Sequence, residues 1–176
     1  MADADPMRRV LVLGCAGAGK STLARRMAAT LSLPLIELDS VFWRPGWVQV
    51  PREEFREAVA RLAAMPAWIM DGNYRFTFDL RLPRADTIVF LDLPRRTYTW
   101  RVIRRTVIGY GRTRVGLPER CRERFNWEFL NFVWNFHAEH RPQFVALLAN
   151  LPDHVRLHRL ESPHEVERFL AMIERR

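Results

Sequence analysis

Residues Gly14 to Ser21 read GCAGAGKS, and Lys20 within them is the only lysine in a chain of 176 residues that carries 28 basic side chains. The spacing is GxxxxGK followed by Ser or Thr, the pattern of a phosphate-binding loop. Gly14, Gly17 and Gly19 let the backbone turn its N–H groups inward around phosphate oxygens, and a helix starting behind them adds the positive end of its dipole. Lys20 supplies a compact charge on a thin stem for the β- and γ-phosphates, a place where a planar guanidinium fits poorly. The Ser21 hydroxyl is of the type that ligates Mg²⁺. Gly14, Gly17, Ala18, Gly19, Lys20, Ser21 and Thr22 are therefore the candidate contacts for ATP, with Mg²⁺ beside them.

Three carboxylates, Asp39, Asp71 and Asp92, each end an apolar run, the second and third as AWIMD and TIVFLD. Phe42, Trp43 and Trp47 flank Pro45-Gly46 and either wall a ring-shaped ligand or pack a small helix onto the body. Arg44 among them is a candidate contact for an acceptor's phosphate or carboxylate, or an exposed charge. Arginines crowd the stretch around 107–122: Arg101, Arg104 and Arg105 precede it, Arg112 and Arg114 lie in it, and Arg120, Arg122 and Arg124 close it. Gly109, Gly111 and Gly116 supply joints. So many guanidiniums repel one another until an anion neutralises them, and that anion is either a nucleotide or a nucleic-acid backbone. Arg101, Arg112 and Arg114 are the preferred phosphate contacts. His137 and His140 stand three apart on a helix without a third converging ligand, which argues against a metal site.

These side chains need a frame. Arg9 to Leu13 reads as a buried strand, and Leu23, Met27, Ala28 and Leu31 give the next helix an apolar face. Short apolar strands are expected at Leu35 to Leu38, Ala67 to Met70, Thr87 to Leu91 and Val155 to Leu160. Helices are expected over Arg52 to Met65, from Pro94 to about Thr106, in a long aromatic stretch reaching Asn150, and after Ser162, with Glu165 at its capping-box position. Trp68, Trp100, Trp127 and Trp134 are assigned to the core. The aromatic run Phe125 to Phe136 is apolar almost all round, so it is buried on several sides or meets a second copy. Repeated βα units imply a three-layer α/β domain: five parallel strands, helices on both faces, and ligands at the strand C-terminal ends. Residues 1–176 form one domain, with a substrate-side segment near 40–65 and an Arg-rich lid near 107–122.

Composition bounds the function. The chain is 48% hydrophobic with a net charge of +8, which suits one core and an anionic partner. No apolar run reaches the ~18–20 residues of a membrane span, the start lacks a signal-peptide pattern, and two distant cysteines make no disulfide framework, so a cytoplasmic protein with reduced thiols is expected. Cys15, near a helix N-terminus, would have a lowered thiol pKa if exposed.

DGNYR, Asp71 to Arg75, resembles the DGFPR segment of adenylate kinases. Together with LDSVFWRPGW, FLDLPR, GYGRTR and CRERFNWEFL, the chain from about Arg8 to Ile173 is similar to a bacterial group of adenylate-kinase-like P-loop proteins labelled DNA topology modulation proteins. The resemblance implies the P-loop fold, ATP binding and kinase-type chemistry, and brings no settled substrate; transfer to a small acceptor, a nucleoside monophosphate or a hydroxylated metabolite, is expected. By the same likeness Asp71 would serve Mg²⁺ beside Ser21, and Arg75 would contact substrate phosphate. Asp39 would orient an acceptor hydroxyl, and 107–122 would be a lid whose arginines meet the transferring phosphoryl group. LDSVFWRPGW departs from the adenylate-kinase pattern that grips a nucleoside monophosphate, which points away from AMP. The alternative is a nucleic-acid-associated ATP-binding protein. Monomer and homodimer both remain compatible.

Overall fold

The computed structural model describes residues 7–113 and 116–175. Its frame is a five-stranded parallel sheet built from β1 (Arg9–Gly14), β2 (Leu35–Glu37), β5 (Trp68–Asp71), β6 (Thr87–Leu91) and β7 (Arg156–Leu160), in the order β2-β5-β1-β6-β7. Central strands of a parallel sheet are covered on both faces, which is why Val10 to Leu13, Ile69, Met70 and Ile88 to Phe90 are continuous apolar runs with no exposure. The chain leaves β1 for one edge, returns to β5, then crosses β1 to reach β6 and β7, so the direction of winding reverses at β1. Such a reversal opens a crevice at the strand C-terminal ends. In register, Val12 lies beside Asp71 on one side and Val89 on the other, and Glu37 lies beside Asp71.

Helices cover both faces. α1 (Lys20–Leu31) packs with α8 (Pro163–Glu174), and α5 (Arg95–Gly109) packs with α6 (Trp127–Glu139). Ser162 caps α8 by accepting from the Glu165 amide at 3.2 Å, while the Glu165 carboxylate accepts from the Glu161 amide at 2.7 Å. The reach back runs one residue past that of a capping box, which would return to Ser162 itself.

Between β2 and β5 the chain forms α2 (Leu38–Phe42), a hairpin of β3 (Trp43–Arg44) and β4 (Val48–Gln49), and α3 (Arg52–Ala63). A short turn at Arg75–Thr77 and α4 (Phe78–Arg81) follow β5.

Two expectations change. The single aromatic helix to Asn150 is two, because Pro142 has no N–H to donate and fits only a first turn. α6 therefore ends at His140, and α7 (Arg141–Leu148) starts anew. Of the four tryptophans assigned to the core, only Trp68 is there. Trp100, Trp127 and Trp134, on α5 and α6, are 65%, 74% and 45% exposed. Arg95 covers part of this surface, its guanidinium 4.0 Å from the Trp134 ring. No helix among the described residues is long and apolar enough to cross a membrane.

Candidate phosphate-binding cleft

A cleft of about 1450 Å³ opens at the C-terminal ends of β1, β2 and β5, floored by residues 16–23 of the Gly-rich loop and α1. The loop glycines serve different physical needs. A Cβ on Gly14 would sit 2.6 Å from the Leu91 carbonyl oxygen, so that glycine lets β1 end against β6. A Cβ on Gly17 would sit 2.4 Å from the Tyr98 carbonyl oxygen, so the loop lies directly on α5, in a left-handed conformation at φ 80°. A Cβ on Gly19 would meet only the Arg101 guanidinium, at an ordinary 3.5 Å, so there the φ of 102° is what asks for glycine. Gly14 is buried behind the cleft, and its N–H is committed to the Asn73 side chain at 3.1 Å. Ala18, Gly19, Lys20, Ser21 and Thr22 line the cleft itself.

The Lys20 ammonium donates to the Cys15 carbonyl at 3.0 Å, folded back over its own loop. Ser21 Oγ donates to Asp71 Oδ2 at 2.5 Å. The register of β5 beside β1 delivers that contact: Asp71 ends its strand two residues short of the loop's start and is only 6% exposed. Asp92, the competing strand-end carboxylate, is taken instead by Arg141 at 2.7 Å and Arg159 at 2.6 Å, fastening α7 and β7 to β6. Cys15 is buried, and desolvation outweighs the pull of Lys20, pushing its thiol up to about 12. The lowered thiol pKa that an exposed position would give is not what the fold provides.

Two positioning residues were not singled out in sequence. Asn73 bridges β5 to β1 with both ends of its amide, Nδ2 donating to the Gly14 carbonyl at 2.9 Å and Oδ1 accepting from the Gly14 amide. Arg81 is fully buried beneath it and donates to the carbonyls of Gly72, Asn73 and Tyr74 and to Thr77 Oγ1. Asn73 stands two residues past a strand-ending Asp, a spacing that could have marked it; Arg81 looks like any other arginine. Tyr74, held at φ 26°, donates its hydroxyl to Asp39 Oδ1 at 2.7 Å and so fixes that carboxylate at the cleft wall.

Trp43, Phe42, Trp47 and Gln49 line the same end as Asp39. Arg44 does not: its guanidinium is held by both carboxylate oxygens of Glu54 at 2.8 and 2.7 Å, on the exposed side of the hairpin. Arg75 is exposed at the start of its turn and is also absent from the cleft lining. Across the cleft, Arg101 donates to the Ala18 carbonyl at 3.1 Å, beside the loop. Arg104, Arg105, Arg112 and Arg124 line the cleft as well. Arg105 is paired with Glu123 at 2.9 Å. Arg114 lies outside the described residues.

The Arg-rich stretch reaches the β3–β4 hairpin. Thr113 and Arg122 bridge at its base, the Trp47 indole N–H donates to the Arg122 carbonyl at 3.0 Å, and the Cys121 thiol contacts the Arg44 carbonyl. Gly116 rests against the Arg25–Glu37 ion pair, leaving no room for a Cβ.

No family model matches the chain. A shikimate kinase of Bradyrhizobium diazoefficiens is 33% identical over 73 residues, 38% of this chain and 34% of that one, so the match spans about a third of the relative's length. Among solved structures, the shikimate kinase of Acinetobacter baumannii in complex with shikimate aligns with TM-score 0.59 at 14% identity, covering 95% of this chain and 93% of that one. The shikimate kinase of Bacteroides thetaiotaomicron aligns with TM-score 0.56 at 18% identity, covering 97% and 98%. The likeness is one of fold: the chain is a three-layer α/β P-loop domain of the shikimate-kinase-like type.

Proposed function

We propose that the chain is a phosphotransferase that moves the γ-phosphoryl group of ATP to a hydroxyl of a small acceptor. The observation that carries the reading is the Ser21–Asp71 hydrogen bond at 2.5 Å, set beside Lys20 at the mouth of a glycine loop. A hydroxyl and a nearly buried carboxylate in contact there suit a hard, oxygen-seeking cation. Ser21 and Asp71 would hold Mg²⁺, whose charge neutralises the phosphate oxygens when it is bound. Lys20 exchanges its Cys15 carbonyl for the β- and γ-phosphates, and the amides of Ala18 to Thr22 cradle them. Asp39, steadied by Tyr74, accepts the acceptor's hydroxyl proton as the new O–P bond forms and the bond from the γ-phosphorus to the bridging oxygen breaks, leaving ADP. Arg101 and Arg112, with Arg114, neutralise charge on the group in transit.

The alignment with shikimate kinases, one of them solved in complex with shikimate, supports a small-molecule acceptor. The arginines Arg101, Arg104, Arg105 and Arg112 line the cleft, which favours a lid over a nucleic-acid surface.

The test is ADP release from Mg²⁺-ATP with a panel of hydroxylated metabolites, a panel of nucleoside monophosphates, or duplex DNA, each beside Lys20→Ala. Stimulation by a small hydroxylated acceptor is expected, with a loss of about 10²-fold or more in the variant. Stimulation by DNA alone, or full turnover by Lys20→Ala, would overturn the reading.

A further inference from the structure

The acceptor end of the cleft has a chemistry of its own. Trp43 and Trp47 are half-buried, line the cleft and meet edge to face, their centroids 5.2 Å apart at 81°. Phe42 backs Trp43 at 5.0 Å and joins it to Tyr74 at 4.8 Å, so the aromatic corner and the Asp39 carboxylate are held by one connected group of side chains. Trp47 occupies a left-handed backbone conformation at φ 65°, next to Gly46 at φ 82°. That conformation is unfavourable for a bulky residue, so the side chain must contribute more than the turn requires. Its indole N–H is bonded to the Arg122 carbonyl of the lid, which leaves the ring as a wall between hairpin and lid.

Outside the Arg-rich stretch, the arginines around this end are committed elsewhere. Arg44 is on Glu54, Arg25 on Glu37, and Arg81 on three backbone carbonyls beneath the floor. The polar groups of the lining around this end are the Asp39 carboxylate, an acceptor of hydrogen bonds, the Tyr74 hydroxyl bonded to it and the Gln49 amide, with Thr113, Glu123 and Arg124 contributed by the Arg-rich side. A carboxylate asks for O–H donors and repels an anion. Two indoles at right angles offer flat apolar faces to C–H groups, the complement of a saturated ring rather than of a flat base sandwiched between parallel planes.

We infer that the acceptor is an uncharged cyclic polyol, a monosaccharide or cyclitol, seated in the Trp43–Trp47 corner with a hydroxyl donated to Asp39. This inference rests on the phosphotransferase reading and narrows its acceptor to a class without phosphate or carboxylate. Arg101, Arg104 and Arg105 of α5, with Arg112 in the lid and Arg124 just after it, are assigned to the nucleotide.

The test is equilibrium titration, followed by tryptophan fluorescence, of protein preloaded with Mg²⁺ and a non-hydrolysable ATP analogue. The probes are neutral monosaccharides and inositol, the phosphate- and carboxylate-bearing forms of the same rings, and free nucleosides. Wild type, Trp43→Phe, Trp43→Leu and Asp39→Asn are compared, with thermal melts to establish that each is folded. At least one neutral ring should bind more tightly than its anionic forms and than any nucleoside. Trp43→Leu should weaken that binding about tenfold, and Trp43→Phe, which keeps a ring face, should recover most of it. Tighter binding of an anionic ring or a nucleoside, or nucleotide binding with no neutral ring bound, would overturn the inference while leaving the phosphotransferase reading in place. Failure of the nucleotide analogue itself to bind would remove both.

Discussion

Arg81 illustrates how much a site depends on groups that never touch a ligand. It lies under the segment Gly72 to Tyr74 and satisfies three carbonyls that would otherwise be buried without donors. Burial pulls its guanidinium down to about 9, with the Asp79 charge only partly opposing. Below that value the group holds its proton in both folded and unfolded chains, so its contribution to stability does not change with pH across the neutral range. Arg81→Met keeps the stem but leaves the carbonyls unpaired, and a loss of about 2–3 kcal/mol is expected. Urea unfolding should show that loss unchanged between pH 6 and pH 8. A neutral substitution, or a loss confined to one end of that range, would contradict the clamp. Asn73 and Tyr74 ride on the same segment, so the register of Asp39 and the loop's first glycine are set by a residue whose sequence neighbourhood gives no hint of it.

Among elements, the phosphate loop and α5 are closely fitted. Gly17 has no room for a side chain because the Tyr98 carbonyl and Val102 stand against it, so the loop's shape depends on α5 as well as on its own glycines. Gly17→Ala adds a clash with backbone to an unfavourable φ, and about 2 kcal/mol of destabilisation is expected. For a domain of this size that is a fall in Tm of about 4–8 °C by calorimetry. An unchanged Tm would mean that loop and helix move apart readily. The core strands were legible because a parallel strand buried on both faces has to be apolar throughout. Thr87–Leu91 has the bounds its composition predicts, and the others differ by a residue or so at an end. The β3–β4 hairpin was not legible, since two-residue strands carry no periodicity, and neither was the break at His140, where an apolar pattern ran on past Pro142. Trp100, Trp127 and Trp134 misled for a related reason. Aromatic content gives an expectation of burial, and only the positions of α5 and α6 decide which side is covered. Within the cleft, the positions of Lys20 and Ser21 follow from the loop motif. Strand ends alone offered Asp39, Asp71 and Asp92, and only the likeness of DGNYR singled out Asp71. The placing of Arg44 and Arg75 was not legible, because an arginine's length lets it turn to Glu54 or to solvent.

At the scale of the whole molecule, a net charge of +8 is shaped into a cleft with two unlike ends. The loop, α1 and α5 bring Lys20, Arg101, Arg104 and Arg105 to one end, α2 and the hairpin turn bring Asp39 and two indoles to the other, and the Arg-rich stretch with Arg112 runs between them. The sheet topology places β1, β5 and β2 side by side, so that loop, Asp71 and Asp39 succeed one another across the strand ends. The bond from Trp47 to Arg122 ties the walls together above them. Everything in this arrangement depends on Lys20 and its loop holding a triphosphate. Calorimetric titration of a non-hydrolysable ATP analogue with Mg²⁺, on wild type and Lys20→Ala, tests that most directly. The account expects saturable binding at one site per chain, weakened about tenfold or more in the variant and more weakly held as salt rises. Equal affinity in the two proteins, or no binding by the wild type, would contradict it.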